Sequence, residues 1–154
     1  MKKINYSLFK KVMSKYTTGI TVVTINFERT YIGKTVNSFA SLSLKPSLIL
    51  FSLDKKSTSI NEYIKSSNLG INILSKDQIK ISKNFSNKKA KWNNANYFLT
   101  KNNIPMLNNC IANLSCKIVK KIKQGDHIIF ICKVNEILID NSKKPLIYFD
   151  TKYQ

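Results

Sequence analysis

Between Tyr6 and Tyr16 the apolar residues Leu8, Phe9, Val12, Met13 and Tyr16 recur at helical spacing, and Asn5 or Ser7 is placed to cap the helix they predict. The period then shortens. Gly19 to Asn26 (GITVVTIN) is β-branched and strand-like, FERT turns the chain, and Tyr31 to Val36 predicts a second strand. After Pro46, the run Ser47 to Leu53 reads as a buried strand. STSINEYIKSS predicts a helix, with Ser59 and Glu62 at capping-box spacing and Ile60, Tyr63 and Ile64 on one face. LGINIL is a short strand, and SKDQIKISKNF opens on a second capping box, Ser75 and Gln78.

From Ser86 to Asn109 the pattern dissolves into polar sequence around Trp92, Tyr97 and Phe98, which predicts a long surface excursion. Leu114, Cys116 and Ile118 then alternate as a strand, KQGDH turns the chain, IIFICKVNEILI returns as a long strand, and PLIYF closes it. Strands dominate and helices lie between them. The fold class this predicts is mostly β with flanking helices, an antiparallel barrel with helical decoration, in a single domain over residues 1–154.

Composition adds bounds. With 154 residues and 43% apolar residues, the chain is long and apolar enough to bury a core. No apolar run approaches the roughly 18 residues of a membrane span, so no membrane partner is expected. The lysines of MKKINYSLFKKV lead into no apolar signal-peptide core. Three cysteines, Cys110, Cys116 and Cys132, lack metal-ligand spacing and read as reduced thiols of a cytoplasmic protein, with no metal expected. The formal charge of +18 raises nucleic-acid binding. Of the 26 basic residues only Arg29 is not lysine, and the lysines are dispersed in pairs along the chain. That distribution describes a solvated surface with a general attraction for small anions, and no nucleic-acid partner is expected.

Several segments, in order, carry a resemblance. FKKVMSKYTTGITVVTI resembles the opening of the flavin reductase family, and KTVNSFASLSLKPSLILFSL resembles its Thr-Ala-Asn-Ser-Phe stretch with the Ser-Leu-x-Pro-Pro strand that follows. STSINEYIKSSNLGINIL is similar to its Ser-x-Thr helix and next strand, ISKNF to its Leu-Ser-x-x-Phe-Ala element, QGDHIIFICKV to its Gly-Asp-His turn, and PLIYFDTKY to its C-terminal end. The similarity runs from about Phe9 to Tyr153. Lys34, Val36, Ser59, Ser86 and Thr151 depart from the family's usual Met, Ala, Thr, Ala and Gly.

The resemblance implies an FMN-binding split barrel that uses NADH or NADPH to reduce FMN or FAD, usually as a homodimer, with an oxygenase component as a further partner. A flavin-binding protein without reductase turnover is the alternative. The resemblance places the isoalloxazine and ribityl chain along Lys34, Thr35, Val36, Asn37, Ser38, Ser41, Leu42 and Ser43, with Ser52 and Leu53 of the following strand. Small polar groups set among apolar residues suit a flat amphipathic ring edged with donors and acceptors. The resemblance puts the flavin phosphate near Ser57, Thr58 and Ser59; Ser59 equally reads as a simple helix cap, and Lys55 and Lys56 add charge attraction. His127, a turn residue on general grounds, takes from the resemblance the role of positioning the nicotinamide, with Asp126 holding the turn. Phe85 either closes over the flavin or ends a helix in the core. Tyr148 and Tyr153 either line the nicotinamide side or finish the barrel.

Overall fold

The computed structural model describes residues 3–154. Helix α1 (Tyr6–Met13) starts at Asn5, whose side chain accepts from the Leu8 N–H at 2.8 Å. Strands β1 (Thr18–Gly19), β2 (Thr21–Phe27) and β3 (Thr30–Val36) follow. Glu28 and Arg29 join β2 to β3 with positive φ of 49° and 66°, as a two-residue type I′ hairpin requires, although neither is glycine or asparagine. Next come β4 (Ala40–Ser43), β5 (Leu48–Asp54), α2 (Ile60–Lys65), β6 (Asn68–Ile73) and a 3-10 turn, Lys76–Gln78, leading into α3 (Ile79–Ser86). The chain continues through β7 (Tyr97–Leu99), β8 (Pro105–Leu107), β9 (Ala112–Gln124), β10 (His127–Ile139), β11 (Ile147–Phe149) and β12 (Lys152–Tyr153).

Seven strands form one antiparallel sheet in the order β3-β2-β6-β9-β10-β5-β4. Register breaks between Ile131 and Cys132 and between Val134 and Glu136 lie along β10, where extra residues curve a strand. Among the described residues β3 and β4 do not pair, so the ladder is open where a closed barrel would be sealed. Two small sheets, β1-β11-β12 and β7-β8, flank it.

One face of the sheet holds the larger core. Phe51 and Phe130 stack with centroids 5.0 Å apart, and the buried Tyr63 hydroxyl donates to the Val23 carbonyl at 2.8 Å, which fastens α2 across the sheet. A second core, around Val22, Leu74, Phe85, Leu107 and Leu146, lies on the other side under α3.

Two expectations change, and two further features lie outside them. The run into β5 alternates rather than being buried throughout: Ile49, Phe51 and Leu53 are buried while Leu48, Leu50 and Ser52 are half-buried, because one sheet face alone meets the core. Ala40–Ser43, where the pattern predicts no element, is an edge strand. The excursion after Ser86 is not confined to the surface, since Ile104, Pro105, Met106 and Leu107 are buried. Asn72 fixes it there: its side chain donates to the Val22 carbonyl and accepts from the Leu107 N–H and the Asn113 amide, each within 2.9 Å. The apolar face of α1 is not covered by its own chain, with Phe9 52%, Val12 58% and Met13 50% exposed.

Candidate functional site

The C-terminal end of β3, the Asn37–Ser38 connection, the end of β5 and the turn before α2 enclose a cavity of about 330 Å³, with His127 at its edge. Each wall is set by local bonding. Ser38 Oγ accepts from the Ser52 N–H at 3.0 Å and donates to the Ser52 carbonyl at 2.9 Å, so a single hydroxyl clamps the connection to β5. Thr35 Oγ1 donates to the Ser82 carbonyl at 2.7 Å and ties β3 to α3. At the far wall Asp54 accepts from the Lys56 N–H at 2.7 Å, and the Lys55 N–H donates to the Asp126 carbonyl at 2.9 Å. The turn before α2 and the β9–β10 hairpin are thereby joined, and pairing of His127 with Asp54 brings the imidazole to the cavity.

His127 Nδ1 lies 2.7 Å from Asp126 Oδ1. A carboxylate only accepts, so Nδ1 carries the proton and Nε2 is left for another partner. The bond from His127, together with its own backbone amide, holds the Asp126 carboxyl below the usual carboxylate range. Ser57 Oγ is buried and has no hydrogen-bond partner. Lys34, Lys56 and Lys88 line the same cavity, where Asp54 is the one acid among the described residues. An unpaired hydroxyl in a cavity lined by three lysines suits a phosphate: it supplies a donor that the protein itself leaves unused, in a field of the right sign. These residues fit the phosphate end of a flavin nucleotide, and the small side chains from Thr35 to Ser38 leave room for its ring.

Of the residues singled out from sequence, Lys34, Thr35, Val36, Asn37, Ser38, Ser52, Leu53, Ser57, Thr58 and His127 all line this one cavity. Ser59 lines a smaller cavity beside it, and its side chain makes no cap bond to α2, contrary to the expected capping box. Ser41, Leu42 and Ser43 lie on β4, outside the lining, with Leu42 well exposed. Phe85 is fully buried in the second core, packed so closely under Gly33 that a Cβ there would sit 2.6 Å from its ring. Tyr148 and Tyr153 pack edge-to-face at 5.4 Å, and the Tyr153 hydroxyl lies 3.0 Å from Ser82 Oγ, so both join β11 and β12 to α3. Asp54 and Lys88 line the cavity and were not singled out. Asp54 reads as the plain end of a strand, and Lys88 arrives from a stretch with no periodic signal. The cysteines are buried and free, and burial pushes Cys110 up to about 11 and Cys116 to about 12, which leaves thiols rather than nucleophiles.

A wider opening of about 690 Å³ adjoins the cavity through Asn37 and Ser38, and is lined by Met13, Tyr16, Thr18, Phe39, Ala40 and Ile73 among others.

Comparison with known proteins is consistent throughout. Residues 13–154 match the family model described as flavin reductase like domain. A flavin reductase of Pseudomonas putida is 30% identical over 147 residues, covering 94% of this chain and 86% of that one. The FMN reductase (NADH) SmoA of Agrobacterium fabrum is 32% identical over 130 residues, covering 84% and 75%. The solved structure of flavin reductase PheA2 superposes with a TM-score of 0.91 at 33% identity, covering 98% of this chain and 97% of that one.

Proposed function

This chain belongs to the flavin reductase family, and from that premise we infer that it is an NAD(P)H:flavin oxidoreductase, taking FMN or FAD as flavin and NADH or NADPH as hydride donor. The observation that carries the reading is the unpartnered Ser57 hydroxyl in a cavity also lined by Lys34, Lys56 and Lys88, with walls of small residues fixed by the bonds of Ser38 and Thr35. Bound flavin supplies the hydride acceptor. The chain's own contribution is position: Ser57 and Thr58 hold the phosphate, Asn37 and Ser38 line the ring, and His127, oriented by Asp126, offers Nε2 to the nicotinamide.

The cavity is rimmed by exposed residues, among them Asn37, Asp54, Lys56 and Lys88, which supports a flavin that exchanges with solvent and passes on to an oxygenase component. A homodimer is part of the same reading. Phe9, Val12, Met13 and Tyr16 are exposed on and after α1, and the wide opening beside Asn37 and Ser38 reaches Met13 and Tyr16, so a second copy seated there would cover an apolar face and finish the site's outer wall. The curved seven-stranded sheet is read as the split barrel of the family. Three free cysteines, with no helix among the described residues long and apolar enough to cross a membrane, accord with a cytoplasmic setting.

The test is oxidation of NADH and of NADPH by the purified protein with and without added FMN or FAD, followed by loss of nicotinamide absorbance. Oxidation that saturates with added flavin is expected. No oxidation with any pair, beside clear quenching of flavin fluorescence, would instead make the chain a flavin-binding protein without turnover.

A further inference from the structure

A smaller cavity of about 130 Å³ opens off the phosphate end of the first, and the two share Lys34, Thr58 and Lys88. Its far wall is aromatic. Tyr31 and Trp92 meet edge-to-face at 5.8 Å, and Trp92 is fixed from two further sides by Phe85 at 5.0 Å and Tyr97 at 5.1 Å. Lys89 and Ala90 complete the rim. No acid lines this side cavity, and among the described residues Lys34, Lys88 and Lys89 take part in no ion pair.

We propose that the side cavity receives the adenylate half of FAD, so that this chain selects FAD over FMN. The proposal rests on the flavin reading above and deepens it. FMN ends at the phosphate held by Ser57 and Thr58, and nothing in it reaches an aromatic wall beyond Thr58. FAD continues from that phosphate to a second one and then to a flat purine. The residues met past Thr58 answer in the same order: unpaired ammonium groups of Lys88 and Lys89 for the second phosphate, then the rings of Tyr31 and Trp92 for the base. Trp92 brings no ordering cost, because its neighbours already hold it. The cavity is shallow and its lysines are exposed, so the preference is modest, about tenfold. NADH also carries an adenylate arm. Continuity with the Ser57 end assigns the cavity to the flavin, and the two sources separate experimentally.

Titration of the purified protein with FAD and with FMN, read by flavin fluorescence, is the experiment, repeated on Lys89→Gln. Lys89 lines the side cavity and not the main one, so FMN binding also reports that the variant is folded. Wild-type protein is expected to bind FAD about tenfold more tightly than FMN, and Lys89→Gln to remove most of that margin while FMN affinity and the KM for NADH stay within about twofold. Equal affinities in the wild type, unchanged by the substitution, would overturn the inference and leave the flavin reading standing. A raised KM for NADH with unchanged FAD affinity would overturn it in favour of the nicotinamide arm. Failure of the wild type to bind either flavin would overturn the reading beneath it.

Discussion

The start of α2 and the turn that leads into α3 are built from the same residue types and are bonded in opposite ways. At Ser75 everything polar is committed: the Gln78 side-chain oxygen accepts from the Ser75 N–H at 3.0 Å, its amide donates to the Asn108 carbonyl at 2.8 Å, and Ser75 Oγ donates to the Asn109 carbonyl at 2.9 Å. At α2 the Ser59 side chain makes no cap bond, Glu62 Oε2 is buried without a partner, and Ser57 Oγ just upstream is unpaired as well. A buried polar group without a partner costs about 1–3 kcal/mol. The fold carries that cost beside the cavity and avoids it beside the second core. One helix start is a structural joint; the other leaves a donor that the protein itself does not use.

Substitution of Gln78 should give the largest effect on stability. Gln78→Leu removes both bonds and leaves the buried Ser75 N–H and the Asn108 carbonyl unpaired, so a loss of about 3 kcal/mol is expected in thermal or denaturant unfolding. Flavin affinity, measured on the remaining folded protein, should stay within about twofold, and a large loss of affinity would break the contrast from the structural side. Ser57→Ala should do the reverse. Loss of a hydrogen bond to a charged phosphate is expected to weaken flavin binding about tenfold or more, while unfolding free energy rises by about 1 kcal/mol, because a buried hydroxyl without a partner is removed. Equal destabilisation by Ser57→Ala and Gln78→Leu would show that both starts are joints.

Ser59→Ala sharpens the comparison at smaller scale. A working cap would lose about 1 kcal/mol on this change, whereas a serine with no cap bond should lose less than about 0.5 kcal/mol. The measurement is the shift in denaturation midpoint at constant slope.

The same pair of helix starts marks what could be read from sequence. Ser59–Glu62 and Ser75–Gln78 have equivalent spacing, and nothing local distinguishes them; what decides is that Ser75 meets the Asn109 carbonyl and Gln78 the Asn108 carbonyl, while Ser57 lines a cavity. A strand such as Tyr31–Val36 was legible from its β-branched and aromatic residues and the turn before it, although its burial does not alternate. The β7–β8 hairpin was not, since its burial depends on Asn72, a polar residue in a distant strand that bonds the Leu107 N–H. The lining of the candidate cavity was legible mainly along the segment from Lys34 to Ser38 and at Ser57, Thr58 and His127, where a resemblance supplied the spatial grouping that spacing alone does not contain. Phe85, Tyr148 and Tyr153, large enough to pack either way, were resolved only by the neighbours that α3 brings to them.

The smallest expected effect belongs to the third wall of the cavity. Asp126 is committed to His127 Nδ1 as Gln78 is to Ser75, yet the arrangement leaves Nε2 free as Ser57 Oγ is free, so the hairpin combines both kinds of bonding. Because the bond from His127 lowers the Asp126 carboxyl in the folded state, its contribution to stability is fully present above the ordinary carboxylate pKa, about 4. It is lost as the pH falls through the lowered folded value. The difference in melting temperature between wild type and Asp126→Asn should therefore be constant near neutral pH and close progressively in acid. Both side chains are exposed and water screens the pair, which keeps the difference small. A difference that persists unchanged to the most acidic pH at which the fold survives would mean that the turn, and not the charge, holds His127. NADH oxidation should fall in Asp126→Asn through a raised KM rather than a lowered kcat, as expected for a residue that orients the imidazole and touches no reacting atom.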